Sequence, residues 1–180
     1  MIFTEVEEIK GLWIIEPKIF EDERGYFFES FKQVEFEQYI PGVKFVQENE
    51  AYSTCGVLRG MHYQKEPYAQ SKLVRVVKGE VQDVALDLRK DSPTYGKHYS
   101  IILSKQNKKQ FFIPKGFAHG YLVLSKEAIF QYKVDEYYNK ESEGGVLYYS
   151  HGINWLVPAK NIIVSTKDLI QKVDISNIIK

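Results

Sequence analysis

Short apolar segments, rich in Val, Ile, Tyr and Phe, alternate with turn signals along most of the chain. The turn signals include Pro41-Gly42, Lys78-Gly79, Asp91-Ser92-Pro93 and Glu143-Gly144-Gly145. Short strands at this spacing are typical of an all-β sandwich or barrel, whereas βαβ units would need helical segments between the strands. The pattern therefore predicts an all-β fold. We predict helix at residues 33–40 and near the end at residues 167–172.

Alternation with a period of two indicates which polar side chains face inward. Within residues 128–136, Tyr132 shares a face with alanine, phenylalanine and valine, so its hydroxyl needs a protein partner or a ligand. Within residues 26–31, Glu29 falls between two phenylalanines on one face. A carboxylate on such a face is costly unless it is paired, so we predict a partner for it.

Residues 81–89 have two faces of different character. One face carries Gln82, Val84, Leu86 and Leu88. The other face carries Val81, Asp83, Ala85 and Asp87. Because small and acidic residues alternate on the second face, we predict that it forms the wall of a cavity.

Length and composition narrow the class of protein. A chain of 180 residues without a linker or repeat is expected to form one domain over residues 1–180. The formal net charge of zero gives no general attraction to nucleic acid or to acidic membranes. The N-terminus lacks the layout of a signal peptide and no apolar run is long enough to span a membrane, so we expect a cytoplasmic protein. Cys55, the single cysteine, is expected to be a small buried residue.

Two of the four histidines lie in unusual contexts. His62 is in the run Gly56-Val57-Leu58-Arg59-Gly60-Met61-His62-Tyr63-Gln64, and His119 is in Pro114-Lys115-Gly116-Phe117-Ala118-His119-Gly120-Tyr121. By itself a buried histidine is more often a hydrogen-bonded core residue than a base. Arg59, Lys72 and the inward Tyr132 change this interpretation. Together with His62 they supply a base, an oxyanion stabiliser, an acid and an anion-binding group, a set that suits proton abstraction next to a carbonyl.

A metal site is the alternative interpretation of these histidines. Many small metal-binding barrels place two histidines one residue apart on a strand, but here the second position is Gln64, a poor ligand. Arg24, Arg59 and His119 would instead suit an anionic ligand such as a diphosphate. Tyrosines placed like Tyr137 and Tyr138 more often pack at the end of a strand than stack on a ligand, and the spacing alone leaves the choice open.

The chain resembles the dTDP-4-dehydrorhamnose 3,5-epimerases, which are cupin-type jelly-roll barrels. The resemblance runs nearly end to end. It lies in residues 20–30, Gln47-Glu48-Asn49, residues 56–64, residues 69–76, residues 83–89, Ser92-Pro93-Thr94-Tyr95-Gly96, residues 116–121 and Ser165-Thr166-Lys167-Asp168.

The resemblance implies a role for each matching residue. His62 matches the proton acceptor, Asp168 the carboxylate that orients it, Tyr132 the proton donor on the opposite face of the sugar, and Lys72 the group near the C4 oxygen. Asp83 matches a buried acidic position of the active-site region. The residues that match contacts to the nucleotide sugar are Arg24, Glu29, Gln47, Asn49, Arg59, His119, Tyr138, Glu143 and Lys167.

The family resemblance also implies a reaction and an assembly. It implies inversion of C3 and C5 of dTDP-6-deoxy-D-xylo-4-hexulose in dTDP-rhamnose and polysaccharide biosynthesis, without metal or organic cofactor. A homodimer is expected, in which the N-terminal segment, about residues 1–50, reaches the neighbouring site. The alternatives are an epimerase acting on C3 or C5 alone and a non-catalytic cupin that binds nucleotide sugars.

Overall fold

The computed structural model describes residues 1–169, which form two antiparallel sheets and a separate hairpin. With strands numbered in chain order, the six-stranded sheet runs β1 (Ile2–Glu5), β2 (Trp13–Glu16), β10 (Gln110–Ile113), β7 (Lys72–Lys78), β12 (Glu127–Val134) and β5 (Gln47–Thr54). The five-stranded sheet runs β13 (Glu143–Gly145), β6 (Leu58–Gln64), β11 (Phe117–Val123), β8 (Glu80–Asp87) and β9 (His98–Ser104). The hairpin consists of β3 (Phe20–Asp22) and β4 (Gly25–Phe27).

The main core lies between the two large sheets. β7, β10 and β12 contribute the buried side chains of Val74, Val76, Phe111, Ala128 and Phe130. β8, β9 and β11 contribute those of Val81, Ala85, Leu103, Tyr121 and Val123. Burial of one face of each sheet against the other is the dominant stabilising contribution in such a sandwich. The predicted all-β, cupin-type jelly roll with short peripheral helices is confirmed.

Short helices cover the outside of the barrel. α1 (Gln33–Tyr39) confirms the first predicted helix and buries Phe36 against Phe112, with the ring centroids 5.5 Å apart. α2 (Thr166–Leu169) begins one residue before the second predicted helix, and the rest of that prediction lies outside the described residues. No helix within residues 1–169 has both the length and the apolar character needed to cross a membrane.

The inward-facing prediction for Glu29 is wrong. β4 ends at Phe27, so the alternation does not continue, and the Glu29 side chain is exposed, with its carboxylate 3.5 Å from Lys32 Nζ. The prediction for Cys55 is also wrong. Cys55 is exposed at the turn between β5 and β6, where a turn residue does not have to pack into either sheet.

The prediction of which side chains share each face of β8 is correct, but the prediction that one of these faces forms a cavity wall is wrong. Val81 and Ala85 pack into the core between the sheets, and Asp87 binds Arg89 at the end of the strand. Only Asp83 reaches toward the site. Small residues on this face make room for the large rings of the opposite sheet, so the alternation of small and acidic residues reflects packing.

β6 and β11 approach each other more closely than side chains would allow. A Cβ atom on Gly60 would lie 2.5 Å from Gly120 Cα, and one on Gly120 would lie 2.7 Å from Met61 Sδ. Gly60 also has φ +131°, which L side chains rarely adopt. The register that results places His119 directly opposite His62.

Replacing Gly60 by alanine tests this contact. We expect Gly60→Ala to lower the free energy of unfolding by about 1–3 kcal/mol more than Gly25→Ala, because only Gly60 faces another backbone. Gly25 is a matched control, since it has a similar φ of +127° and no neighbour within 4 Å of an added Cβ. Urea denaturation of both variants measures the difference, and equal losses would show that the contact is unimportant.

Candidate active site

A cavity opens between the sheets at one end of the barrel, and it has two parts that share His62, Lys72 and Tyr132. The first part, of about 520 Å³, is lined also by Ala51, Val57, Leu58, Arg59, His119, Tyr121, Phe130, Ile163, Val164, Ser165, Lys167 and Asp168. The second part, of about 360 Å³, is lined also by Gln47, Asn49, Tyr63, Gln64, Gln70, Tyr138 and Glu143. The three shared side chains therefore lie where both parts meet.

His62 on β6 pairs with Asp168 on α2. His62 Nε2 lies 2.7 Å from Asp168 Oδ1, and the carboxylate is buried. Burial lowers the pKa of His62, and although the hydrogen bond and charge of Asp168 raise it, the net pKa lies below 6.5. The imidazole is therefore neutral at neutral pH, in the form that a base requires.

Tyr132 and Lys72 come from the opposite sheet. Tyr132 on β12 is paired with Asn49 and Val74, and Lys72 on β7 is paired with Val134. Burial raises the pKa of Tyr132, only partly offset by the charge of Arg59 and the nearby Asn49 side chain, so the phenol keeps its proton. The site thus has a neutral imidazole on one sheet and a neutral phenol on the other.

The ammonium of Lys72 lies in the shared part of the cavity. Burial lowers the pKa of Lys72 to about 8, although the charges of Asp83 and Glu143 raise it. Lys72 is therefore mostly protonated at neutral pH but loses its proton more readily than an exposed lysine. A cation in a partly desolvated site is suited to stabilise a developing oxyanion.

His119 is held by the buried carboxylate of Asp83. His119 Nε2 lies 3.0 Å and 2.9 Å from the two carboxylate oxygens, and Asp83 is fully buried. Such a carboxylate fixes the orientation of the ring. Asp83 therefore acts on the cavity through His119 and through the charge that it presents to Lys72.

Arg59 is the second residue of β6 and lines the first part of the cavity. Its Nε donates to Ser53 Oγ at 3.0 Å and its Nη2 donates to the Tyr52 carbonyl at 3.3 Å. The two contacts orient the guanidinium and leave further N–H groups for a ligand, since a guanidinium carries five donors.

Tyr138 and Glu143, which line the second part of the cavity, form a cluster with Lys167, which lines the first part. Lys167 Nζ donates to both oxygens of Glu143 at 2.6 Å and 2.8 Å, and Tyr138 Oη donates to Glu143 Oε2 at 2.9 Å. Burial raises the pKa of Glu143, but these hydrogen bonds outweigh it and the net pKa is lowered. Tyr138 remains 57% exposed, so its ring can receive a planar ligand. Across this part of the cavity, Gln47 Nε2 donates to Asn49 Oδ1 at 2.8 Å.

Gln64 supports this cluster, a role that its place in the sequence does not predict. Its Nε2 donates to the carbonyls of Tyr68 and Tyr137 at 2.6 Å and 3.2 Å, and its Oε1 accepts from the Asn139 N–H at 2.6 Å. The amide therefore holds the backbone on both sides of Tyr138.

Within residues 1–169, no three His, Cys, Asp or Glu side chains are grouped so that they could hold a metal ion.

Two predicted site residues lie away from the cavity. Arg24 is in the exposed β3–β4 hairpin and forms an ion pair with Asp22, and Glu29 is near Lys32. Neither lines either part of the cavity.

Conversely, Tyr121 lines the cavity although it is not among the predicted site residues. The signal was present, because Tyr121 follows His119 by two residues and alternation on a strand places both on one face.

Comparison with known proteins agrees with this geometry. The family model described as dTDP-4-dehydrorhamnose 3,5-epimerase matches residues 6–173. The dTDP-4-dehydrorhamnose 3,5-epimerase of Shigella flexneri is 55% identical over 163 residues, which cover 90% of each chain.

Solved structures extend the agreement to the fold. The dTDP-4-dehydrorhamnose 3,5-epimerase of Elizabethkingia anophelis is 48% identical with a TM-score of 0.89, over 95% of this chain and 94% of that one. The dTDP-6-deoxy-D-glucose-3,5-epimerase of Legionella pneumophila, solved with dTDP-4-keto-L-rhamnose, is 46% identical with a TM-score of 0.89, over 94% of this chain and 90% of that one. This chain therefore belongs to the dTDP-4-dehydrorhamnose 3,5-epimerase family and is an isomerase.

Proposed function

We propose that the protein converts dTDP-6-deoxy-D-xylo-4-hexulose (dTDP-4-dehydro-6-deoxy-D-glucose) into dTDP-4-dehydro-L-rhamnose by inverting C3 and C5. The C4 ketone acidifies the hydrogens on both neighbouring carbons, so one set of groups can serve both centres. The observation that carries the proposal is the placement of the His62–Asp168 pair and Tyr132 on opposite sheets around one cavity. Inversion needs this placement, because the proton must leave from one face of the sugar and return to the other.

The proposed mechanism follows from the hydrogen bonds of the site. If His62 Nε2 carries the proton that it shares with Asp168, Nδ1 is left as the base. His62 removes the proton next to the ketone, Lys72 stabilises the enolate oxygen, and Tyr132 donates a proton to the opposite face of the same carbon. The imidazolium then loses its proton to solvent and the phenolate regains one, so the enzyme is restored for the second centre.

We propose that the rest of the cavity binds the nucleotide and the diphosphate. The exposed Tyr138 ring is placed to stack on the base beside Glu143 and Lys167. The oriented guanidinium of Arg59 and the fixed ring of His119 suit the negatively charged diphosphate. Gln47 and Asn49 supply amide groups to the same ligand from β5.

We propose that Arg24 and Glu29 complete the site of a neighbouring copy in a homodimer. The β3–β4 hairpin exposes Phe20, Tyr26 and Phe27, which are 52%, 50% and 66% accessible. Such an exposed apolar hairpin is typical of a protein–protein contact. It supports an exchange of N-terminal segments between protomers.

Exchange of hydrogen in deuterated water tests the reaction. With the hexulose as substrate, we expect deuterium at both C3 and C5 and an L-configured 4-keto product, because each centre is deprotonated and reprotonated. NMR and mass spectrometry of the product measure both positions. Deuterium at one centre only would instead identify an epimerase of that centre, and no exchange with retained binding of dTDP would identify a non-catalytic binding protein.

Two variants separate the base from the acid. We expect His62→Asn to lower exchange at both carbons about 100- to 10,000-fold, because it removes the base. Tyr132→Phe should retain exchange of hydrogen without net inversion, since abstraction survives the loss of the opposing acid. Exchange at the rate of the unmodified protein in His62→Asn would rule out His62 as the base.

The pH dependence of kcat/KM tests the two perturbed groups. His62 must be neutral, so activity should fall as the pH drops through its lowered pKa, below 6.5. Lys72 must be charged, so activity should fall as the pH rises through about 8. Asp168→Asn removes a charge that raises the pKa of His62, so the acid limb should move to lower pH. An alkaline limb that persists in Lys72→Met would exclude Lys72 as its cause.

Mixing two inactive variants tests the exchange of segments. Arg24→Ala and His62→Asn should each be impaired as separate homodimers. After mixed refolding, a heterodimer contains one site with an intact His62 and an intact Arg24 from the partner, so activity should reappear. If each site instead uses Arg24 and His62 of the same protomer, both sites of the heterodimer lack one of the two residues. A confirmed heterodimer without activity would therefore show that Arg24 acts within its own chain.

A further inference from the structure

The hydroxyl of Tyr121 is buried in the active-site cavity without a hydrogen bond. Tyr121 on β11 is 5% exposed and lines the first part of the cavity. Among the described residues, its Oη is the single buried side-chain polar atom without a hydrogen-bonding partner. A buried hydroxyl that makes no hydrogen bond costs free energy in the unliganded protein. A phenylalanine would fill the same space without that cost.

The ring of Tyr121 has little freedom to turn the hydroxyl elsewhere. It stacks on Phe130 with the centroids 4.0 Å apart and the planes inclined by 13°. Tyr121 also lies opposite Arg59 on β6 and Asp83 on β8 in the sheet register. The stacked ring therefore holds the hydroxyl in one direction.

The surroundings of this hydroxyl favour a role as hydrogen-bond donor to an oxygen atom of a ligand. Burial raises the pKa of Tyr121, partly offset by the nearby Ser53 hydroxyl and the charge of Arg59, so the phenol is neutral and has a proton to donate. Ser53 Oγ already accepts from Arg59 Nε at 3.0 Å. Arg59 draws electron-rich oxygen atoms to the same end of the cavity.

We propose that the Tyr121 hydroxyl is a further substrate-binding group, which donates a hydrogen bond to an acceptor oxygen of the dTDP-linked sugar. This inference rests on the proposed function for the identity of that ligand. The acceptor is either a diphosphate oxygen or an oxygen of the 4-keto sugar, and both are chemically suited to a neutral phenol beside a guanidinium.

Tyr121→Phe tests the proposal because it removes one oxygen and keeps the ring on Phe130. In the free protein we expect an unchanged or raised Tm, since the hydroxyl makes no hydrogen bond there. We expect kcat/KM for the hexulose to fall about 3- to 100-fold, the range for loss of one hydrogen bond to a neutral or charged acceptor.

Tyr99→Phe is the matched control. Tyr99 on β9 also packs its ring against a phenylalanine of the main core, with its centroid 5.9 Å from that of Phe111, but it does not line the cavity. The Tyr99→Phe variant should have the kcat/KM and the dTDP affinity of the unmodified protein. The same loss in Tyr99→Phe would overturn the proposal, because the effect would then come from the core rather than from a ligand contact.

Calorimetric titration with dTDP distinguishes the two acceptors. Weaker binding of dTDP to Tyr121→Phe identifies a diphosphate oxygen, whereas unchanged dTDP affinity with reduced kcat/KM identifies an oxygen of the sugar. Unchanged dTDP affinity together with unchanged kcat/KM overturns the proposal, and so does a lowered Tm of the free variant. If the unmodified protein exchanges neither C3 nor C5, the proposed function fails, while dTDP binding still decides the role of Tyr121.

Discussion

The close pairing of β6 with β11 is the constraint on which the site depends. Gly60 and Gly120 allow the two backbones to touch, and this contact sets His119 directly opposite His62. A side chain at either glycine would push the strands apart and move both imidazoles. Gly60, two residues before His62, and Gly120, which follows His119, are therefore part of the site, although neither contributes a functional group.

Two facing sheets provide what an inverting epimerase requires. His62 extends from the five-stranded sheet, whereas Tyr132 and Lys72 extend from the six-stranded one. Burial between the sheets lowers the pKa values of His62 and Lys72 and raises that of Tyr132. The same desolvation thus keeps the proposed base His62 neutral, the proposed acid Tyr132 protonated and Lys72 close to its titration range. Separate sheets also keep base and acid apart, so that a sugar ring can lie between them.

Polar groups behind the cavity hold these side chains in place. Asp168 pairs with His62, Asp83 with His119, and Gln64 with the backbone on both sides of Tyr138. Each of the three is buried and makes its hydrogen bonds within the protein. Tyr121 differs from them, because it has the burial of a supporting residue but no partner in the described part of the chain.

Local periodicity and turn residues are enough to predict the all-β class, the first helix and the inward direction of Tyr132. Periodicity could not show that β4 stops before Glu29, that Cys55 is exposed, or that the small residues of β8 pack against the opposite sheet. Family resemblance supplied the pairing of His62 with Asp168, which local pattern could not reveal across 106 positions. The packing of the two sheets was needed to show which side chains share the cavity, that Gln64 supports Tyr138, and that the Tyr121 hydroxyl has no hydrogen-bonding partner among the described residues. The physical reason is that strand alternation assigns a side chain to one face of a sheet, whereas its contacts depend on which other strands close over that face.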